Sequence, residues 1–187
     1  MKIILASQSP FKKHAIDVLG LSYKVKPSNF DESSIRNKDP KKLAKKLSEA
    51  KAMEIGKKDD GIIISTDLFV VFKKGILEKP RNKSHAQEML KSLSGNTFDI
   101  VTGLAVYNSK SNKMLSTVET CRVKFRRLNN FEINDYITRF PALKCAGAFE
   151  ADGLLRFAER INGNYNFRAA TPVNKLVIFL RKFGVKV

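Results

Sequence analysis

A mixed α/β fold, a β-sheet flanked by helices, is what this sequence predicts. Apolar β-branched runs alternate with amphipathic stretches at helical spacing along the whole chain. No internal repeat, low-complexity tract or linker interrupts that alternation, and 187 residues suffice for a full core, arranged as one domain or as two small lobes. A hydrophobic share of 43% beside 28% charged residues is that of a globular chain and argues against disorder.

Residues 2–6 read as a short buried strand that stops at Ser7, Gln8, Ser9 and Pro10. Ser9 is suited to cap a helix and Pro10 to begin it, with Phe11, Ala15, Ile16 and Leu19 recurring until Gly20. A loop between a strand and a helix start presents unpaired backbone N–H groups to an anion. Here the hydroxyls of Ser7 and Ser9 and the charge of Lys12 stand beside them, so the loop reads as a phosphate cradle. The same serines also fit a plain capping role.

Tyr23 to Lys26 alternates as a strand, a polar loop carrying Asp31 and Glu32 follows, and Asp39 with Pro40 starts a second helix. On its helical wheel Lys41, Lys42, Lys45 and Lys46 fall away from Leu43, Leu47 and Ala50. Lys51 does not: it projects among Ala44, Leu47 and Ile55 toward the core, where an ammonium needs a partner. Glu54, three residues on, is the local candidate.

The run "GIIISTDLFVVF" is the strongest strand, interrupted by Ser65, Thr66 and Asp67. A carboxylate inside such a strand is costly unless it binds a metal, accepts several hydrogen bonds or does chemistry, which makes Asp67 the leading candidate residue. The turn "KKG" leads into a short return strand, Ile76 to Leu77, and on to Glu78, Lys79 and Pro80. Ser84 is expected to cap a helix through Leu93, ended by Gly95. Thr97 to Tyr107 and Lys113 to Arg126 read as long strands joined by the polar turn "NSKSN". Asn130 is expected to cap a helix to Arg139, and a loop containing "KCAGAFEADG" follows. Thr171 and Pro172 open a last helix that closes at Gly184.

Thirty-five Lys plus Arg against 18 Asp plus Glu leave a formal charge of +17, a field that draws polyanions of any kind. No aromatic-interleaved basic strand, zinc knuckle or recognition helix converts that field into a nucleic-acid motif, so nucleic acid is not the expected partner. Cys121 and Cys145 lack metal or disulfide spacing and read as free thiols, and His14 and His85 have no companion ligands. The apolar N-terminal run is too short for a signal-peptide core, and no stretch approaches the roughly 20 apolar residues that span a bilayer, so a cytoplasmic protein without a membrane partner is expected.

In their order and spacing, "ILASQSP", "FDE", "EAKA", "STD", "EKP", "MLKSLSG", "VTGLAVY", "VKF", "AGAF" and "TPVNKL" resemble the Maf family of nucleotide pyrophosphatases from Met1 to the last helix. The resemblance implies an elongated mixed sheet flanked by helices, similar to that of inosine triphosphate pyrophosphatases, as one domain with two lobes around a central cleft. It also implies hydrolysis of a nucleoside triphosphate, often a pyrimidine or modified one, to the monophosphate and pyrophosphate. A divalent cation, Mg²⁺ or Mn²⁺, and a homodimer are implied with it. Carried over to this chain, Asp67, Lys51 and Lys79 are the catalytic set. Ser7, Ser9, Lys12 and Asp152 are the substrate-binding set, and Glu32 with Asp67 are the metal ligands.

The departures from the family pattern lie around these positions. Phe11 and Lys12 replace the two arginines of an S-P-R-R loop, which turns a bidentate fork into a point charge. Leu68 stands where a threonine is usual, Glu78 where a glycine is, Lys144 where an aspartate often is, and Asp152 where a glutamine is. A shifted base preference is therefore expected, with a weakened nucleotide binder or a basic nucleic-acid-binding protein as the alternatives.

Overall fold

The sheet is organised around its most apolar strand. In the computed structural model, which describes residues 1–164 and 170–187, β1 (Ile3–Leu5) leads into α1 (Pro10–Asp17), β2 (Lys24–Val25), α2 (Pro40–Gly56) and then β3 (Ile62–Phe72). The chain continues through β4 (Gly75–Leu77), α3 (Lys83–Leu93), β5 (Thr97–Asn108), β6 (Lys113–Phe125), α4 (Asn130–Arg139), α5 (Ala151–Phe157), β7 (Ala158–Gly163) and α6 (Val173–Lys182). Among the described residues seven strands join in one sheet in the order β2-β1-β3-β5-β6-β7, with β4 paired to β3. β1 runs parallel to β2 and to β3, with Leu5 opposite Ile64, whereas β3 and β4 pair antiparallel around the lysine turn.

Contacts divide the described chain into two compact units. The first comprises Met1–Leu68, Thr102–Glu119 and the C-terminal segment with α6. Its sheet is buried on both faces, as parallel strands require. On one face Ile3, Leu5, Ile62, Ile64, Leu104 and Val106 pack with Ile16 of α1 and Leu176 and Leu180 of α6. On the other, Ile4, Ala6, Ile63 and Ala105 pack with Ala52 and Ile55 of α2. The alternation of β1 and β3 between these clusters is the period of two of an extended chain.

The second unit comprises Phe69–Val101 and the segment from Thr120 through β7. Its core is aromatic: Phe98 and Phe125 meet edge to face with ring centres 4.8 Å apart, Phe149 and Phe157 each lie 5.6 Å from Phe125, and Phe157 lies 4.8 Å from Tyr136. α5 packs so closely here that a Cβ on Gly153 would stand 2.3 Å from the Tyr136 ring.

Helix starts differ from expectation by one or two residues where several capping residues are adjacent. α3 is capped by Asn82, which accepts from the His85 N–H at 2.9 Å, and not by Ser84. α4 is capped by Asn129 in a reciprocal box with Glu132, and not by Asn130. The segment read as a loop around "KCAGAFEADG" contains short turns and α5, capped by Glu150, and runs into β7, a polar edge strand pairing antiparallel with β6.

One close approach fixes α2 on the sheet. A Cβ added to Gly103 of β5 would lie 2.3 Å from the Ala44 carbonyl oxygen of α2, so the helix rests its backbone on the strand. Gly103→Ala is expected to lower stability by about 1–3 kcal/mol by prying that contact apart. Chemical denaturation checks this, and an unchanged midpoint would contradict it.

Candidate active site

β3 carries its polar residues at the point where its apolar run has been covered on both faces. Ile63 lies against α2, so Ser65 and Asp67, two and four residues on, project to the same side. Asp67 is buried, with its side chain 12% exposed. Its Oδ1 accepts from the Leu68 backbone N–H at 3.1 Å, and its Oδ2 faces α2.

From α2, Lys51 meets it. The Lys51 Nζ donates to Asp67 Oδ2 at 3.1 Å and pairs with Glu32 Oε1 at 2.8 Å, so a single ammonium stands between two carboxylates. The expected local partner, Glu54, is engaged elsewhere, by Lys58 at 2.6 Å, the Ser28 hydroxyl at 2.8 Å and the Asn29 N–H at 3.2 Å. Burial opposes the charge on Lys51, but Asp67 and Glu32 outweigh it and hold its pKa above the usual lysine value. The ammonium therefore persists through neutral and mildly alkaline pH. Glu32 sits on a one-turn 3-10 helix, Glu32–Ser34, capped by Asp31, and its side chain is 57% exposed, so the cluster opens to solvent on that side.

The loop after β1 approaches the same stretch of β3. Ala6 N–H donates to the Ile64 carbonyl at 2.9 Å, and the Lys12 Nζ, from the first turn of α1, donates to the Thr66 carbonyl at 2.6 Å, one residue before Asp67. Ser9 occupies the cap position and Pro10 opens the helix as expected, but the Ser9 side chain makes no capping bond. Instead the Ser9 N–H donates to Ser7 Oγ at 3.2 Å, which shapes the loop and leaves the Ser9 hydroxyl uninvolved in holding the helix.

Sequence reasoning assigned no role to the Ser65 and Thr66 hydroxyls and gave Thr171 only a place at the start of the last helix, which the structure begins at Val173 after Pro172. The side-chain oxygens of Ser65, Thr66 and Thr171 find no hydrogen-bond partner among the described residues. Two of them directly precede Asp67 on β3, and the signal for them was the break in the β-branched run. Lys79 and Asp152 belong to the second unit. Lys79 is exposed just beyond β4, where its charge acts on the Cys145 thiol, and the carbonyl of its neighbour Glu78 accepts from the Gly147 N–H at 3.1 Å. Asp152 is exposed in the first turn of α5, and Lys144 is exposed at the end of a 3-10 turn.

A family model described as Maf-like protein matches residues 2–183. This chain belongs to the Maf-like family. Among curated relatives, the dTTP/UTP pyrophosphatases of Clostridium tetani and Clostridium perfringens are 34% and 37% identical, each aligned over 100% of both chains. That of Clostridium botulinum is 37% identical over 99% of this chain and 98% of its own. Two solved structures share the fold: the Ham1 protein of Staphylococcus aureus, with a TM-score of 0.57 at 15% identity, covering 98% of this chain and 100% of that one, and a HAM1 protein from Coxiella burnetii, with 0.54 at 15% identity, covering 97% and 99%. The mixed α/β architecture expected of a Maf-like chain is therefore the one present.

The thiols of this Maf-like chain are not poised for chemistry. Burial, with Asp99 nearby, pushes Cys121 up to about 11, and burial, with Glu150 nearby and Lys79 acting against it, pushes Cys145 up to about 11. A raised thiol pKa in the fold means that stability is retained below the unfolded value near 9 and lost as pH climbs toward 11. At pH 8 the native protein is expected to react slowly with a chromogenic disulfide reagent and the denatured protein quickly at both thiols. Two fast-reacting thiols in the native state would contradict this.

Proposed function

We propose that the chain is a nucleoside triphosphate pyrophosphatase, acting as one catalytic domain, that cuts between the α- and β-phosphates of a pyrimidine or modified nucleotide. The observation that carries this reading is Lys51 bridging Glu32 and Asp67 beside the Ser7–Lys12 loop, at the carboxyl end of β1 and just past the stretch of β3 that pairs parallel with it. Ligands of open parallel sheets bind at that edge. That these relatives are named dTTP/UTP pyrophosphatases supports the substrate class.

In this reading Asp67, held in the free protein by Lys51 and by the Leu68 N–H, accepts the proton of an attacking water. Lys12, Lys51 and Lys79 counter phosphate charge, and Asp152 is a substrate-binding residue. Ser7 and Ser9 donate their hydroxyls to phosphate oxygens beside the first N–H groups of α1. Neutralising and orienting a polyanion in this way is most of what phosphoryl-transfer catalysis demands of a protein.

The donor set fits a divalent cation. Two carboxylates already face one shared positive charge, and no group of three or more His, Cys, Asp or Glu residues gathers among the described residues, so a bound ion would draw its other ligands from water and phosphate, as Mg²⁺ and Mn²⁺ do. Such an ion supplies Lewis-acid polarisation and charge neutralisation at the phosphates. Base preference is set by hydrogen bonding around the nucleobase, and the family departures at Leu68, Glu78, Lys144 and Asp152 shift it within the pyrimidine and modified-base class. The same reading takes the protein as a cytoplasmic homodimer; among the described residues no helix is long and apolar enough to cross a membrane.

With Mg²⁺ or Mn²⁺, the purified protein is expected to release pyrophosphate from at least one triphosphate of a panel led by UTP and dTTP. Asp67→Asn is expected to lower that rate by roughly 10² to 10⁴ while the circular dichroism spectrum stays native. An unaffected rate removes Asp67 from the chemistry. Absence of turnover across the whole panel, modified bases included, rejects the enzyme.

A further inference from the structure

Lys51 occupies the position that a metal reading gives to a metal. Its ammonium takes Glu32 Oε1 at 2.8 Å and Asp67 Oδ2 at 3.1 Å, and the other Asp67 oxygen is taken by the Leu68 N–H. The Lys51 and Asp67 side chains are 13% and 12% exposed, so water screens the pair poorly. Its near acidic neighbour along α2, Glu54, is committed to Lys58, Ser28 and Asn29 and offers no alternative seat.

We propose that Lys51 is the resident counter-cation of the divalent site: ammonium and metal compete for the same two carboxylates, so the free protein holds the ion weakly and loads it together with the triphosphate. The inference rests on the pyrophosphatase reading for the identity of the ligand. Two carboxylates neutralise one ammonium with a single negative charge to spare, so a doubly charged ion entering alone leaves the cluster positive and sits against Lys51. A triphosphate tail reverses that balance. It supplies oxygens for the ammonium, which swings on a flexible four-carbon stem, and it supplies the negative charge that makes room for both cations. Glu32, exposed and carried on a single 3-10 turn, is the partner with freedom to let go, while Asp67 is fixed by its strand. The arrangement guards against idle metal binding in the absence of substrate.

Mn²⁺ binding followed by electron paramagnetic resonance tests this without reference to turnover. Lys51→Met is expected to bind Mn²⁺ alone at least ~10-fold more tightly than the wild type, and Lys51→Arg to stay as weak as the wild type. Equal or weaker binding by a folded Lys51→Met protein overturns the proposal. Should that variant not fold, the wild type decides: the Lys51 ammonium resonance in a ¹⁵N-detected spectrum is expected to persist in millimolar Mg²⁺ alone and to shift when Mg²⁺ is joined by a triphosphate with a non-hydrolysable α,β-bridge. A resonance unchanged in the ternary mixture overturns the exchange. Pyrophosphate release by the wild type is measured in parallel. Turnover together with unimproved Mn²⁺ binding by Lys51→Met refutes the exchange and leaves the enzyme standing, whereas tightened Mn²⁺ binding without turnover supports the competition and removes the enzyme.

Discussion

Lys51 is held between two carboxylates that come from separate parts of the chain, Glu32 from a short turn and Asp67 from the middle of β3. Neither the Lys51 ammonium nor the Asp67 carboxylate is tolerable alone where it sits. A buried ammonium or carboxylate without its partner costs several kcal/mol, far more than an exposed ion pair returns. A well-packed apolar pair would serve stability as well or better, so the ion cluster is not accounted for by what it adds to the fold. It is also not sealed, because the Glu32 side chain reaches solvent.

The rest of the first unit works to keep that cluster in register. Parallel pairing sets Leu5 opposite Ile64, which brings the end of β1 and the loop after it beside the stretch that ends in Asp67. α1 then returns Lys12 to the Thr66 carbonyl, so the two segments are joined by a charge-assisted bond as well as by the ladder. On the opposite face Ala52 and Ile55 of α2 seat against Ile4 and Ile63, and Gly103 lets the helix backbone approach β5 closely enough for Lys51 to reach across. The price of this geometry includes the Ser65 and Thr66 hydroxyls, buried on β3 without a hydrogen-bond partner among the described residues.

What was legible in the sequence follows the range of the forces involved. Asp67 stood out because a carboxylate in a β-branched run violates the local pattern, and Lys51 stood out because a helical wheel places it on the apolar face. The pairing between them was not legible: Glu54 is three residues from Lys51, Asp67 is sixteen, and only the sheet's register decides for the distant one. Caps were recognised by residue type but misplaced where Asn82 competes with Ser84 and Asn129 with Asn130, since either of two neighbours can accept the first N–H bonds. α5 and β7 escaped notice for a different reason. A seven-residue helix containing a glycine and a strand reading "AERING" have little intrinsic preference, and both exist because Tyr136 and β6 receive them.

The family resemblance added Lys79 and Asp152 to the expected site residues, positions for which the sequence pattern carries no local physical signal. The central claim is that the Glu32, Lys51 and Asp67 cluster serves cleavage at the α-phosphate. Following UTP by ³¹P nuclear magnetic resonance in water enriched in ¹⁸O measures that claim most directly. The account predicts equal amounts of nucleoside monophosphate and pyrophosphate, with no diphosphate at any stage. Uridine diphosphate and orthophosphate as the first products would contradict it.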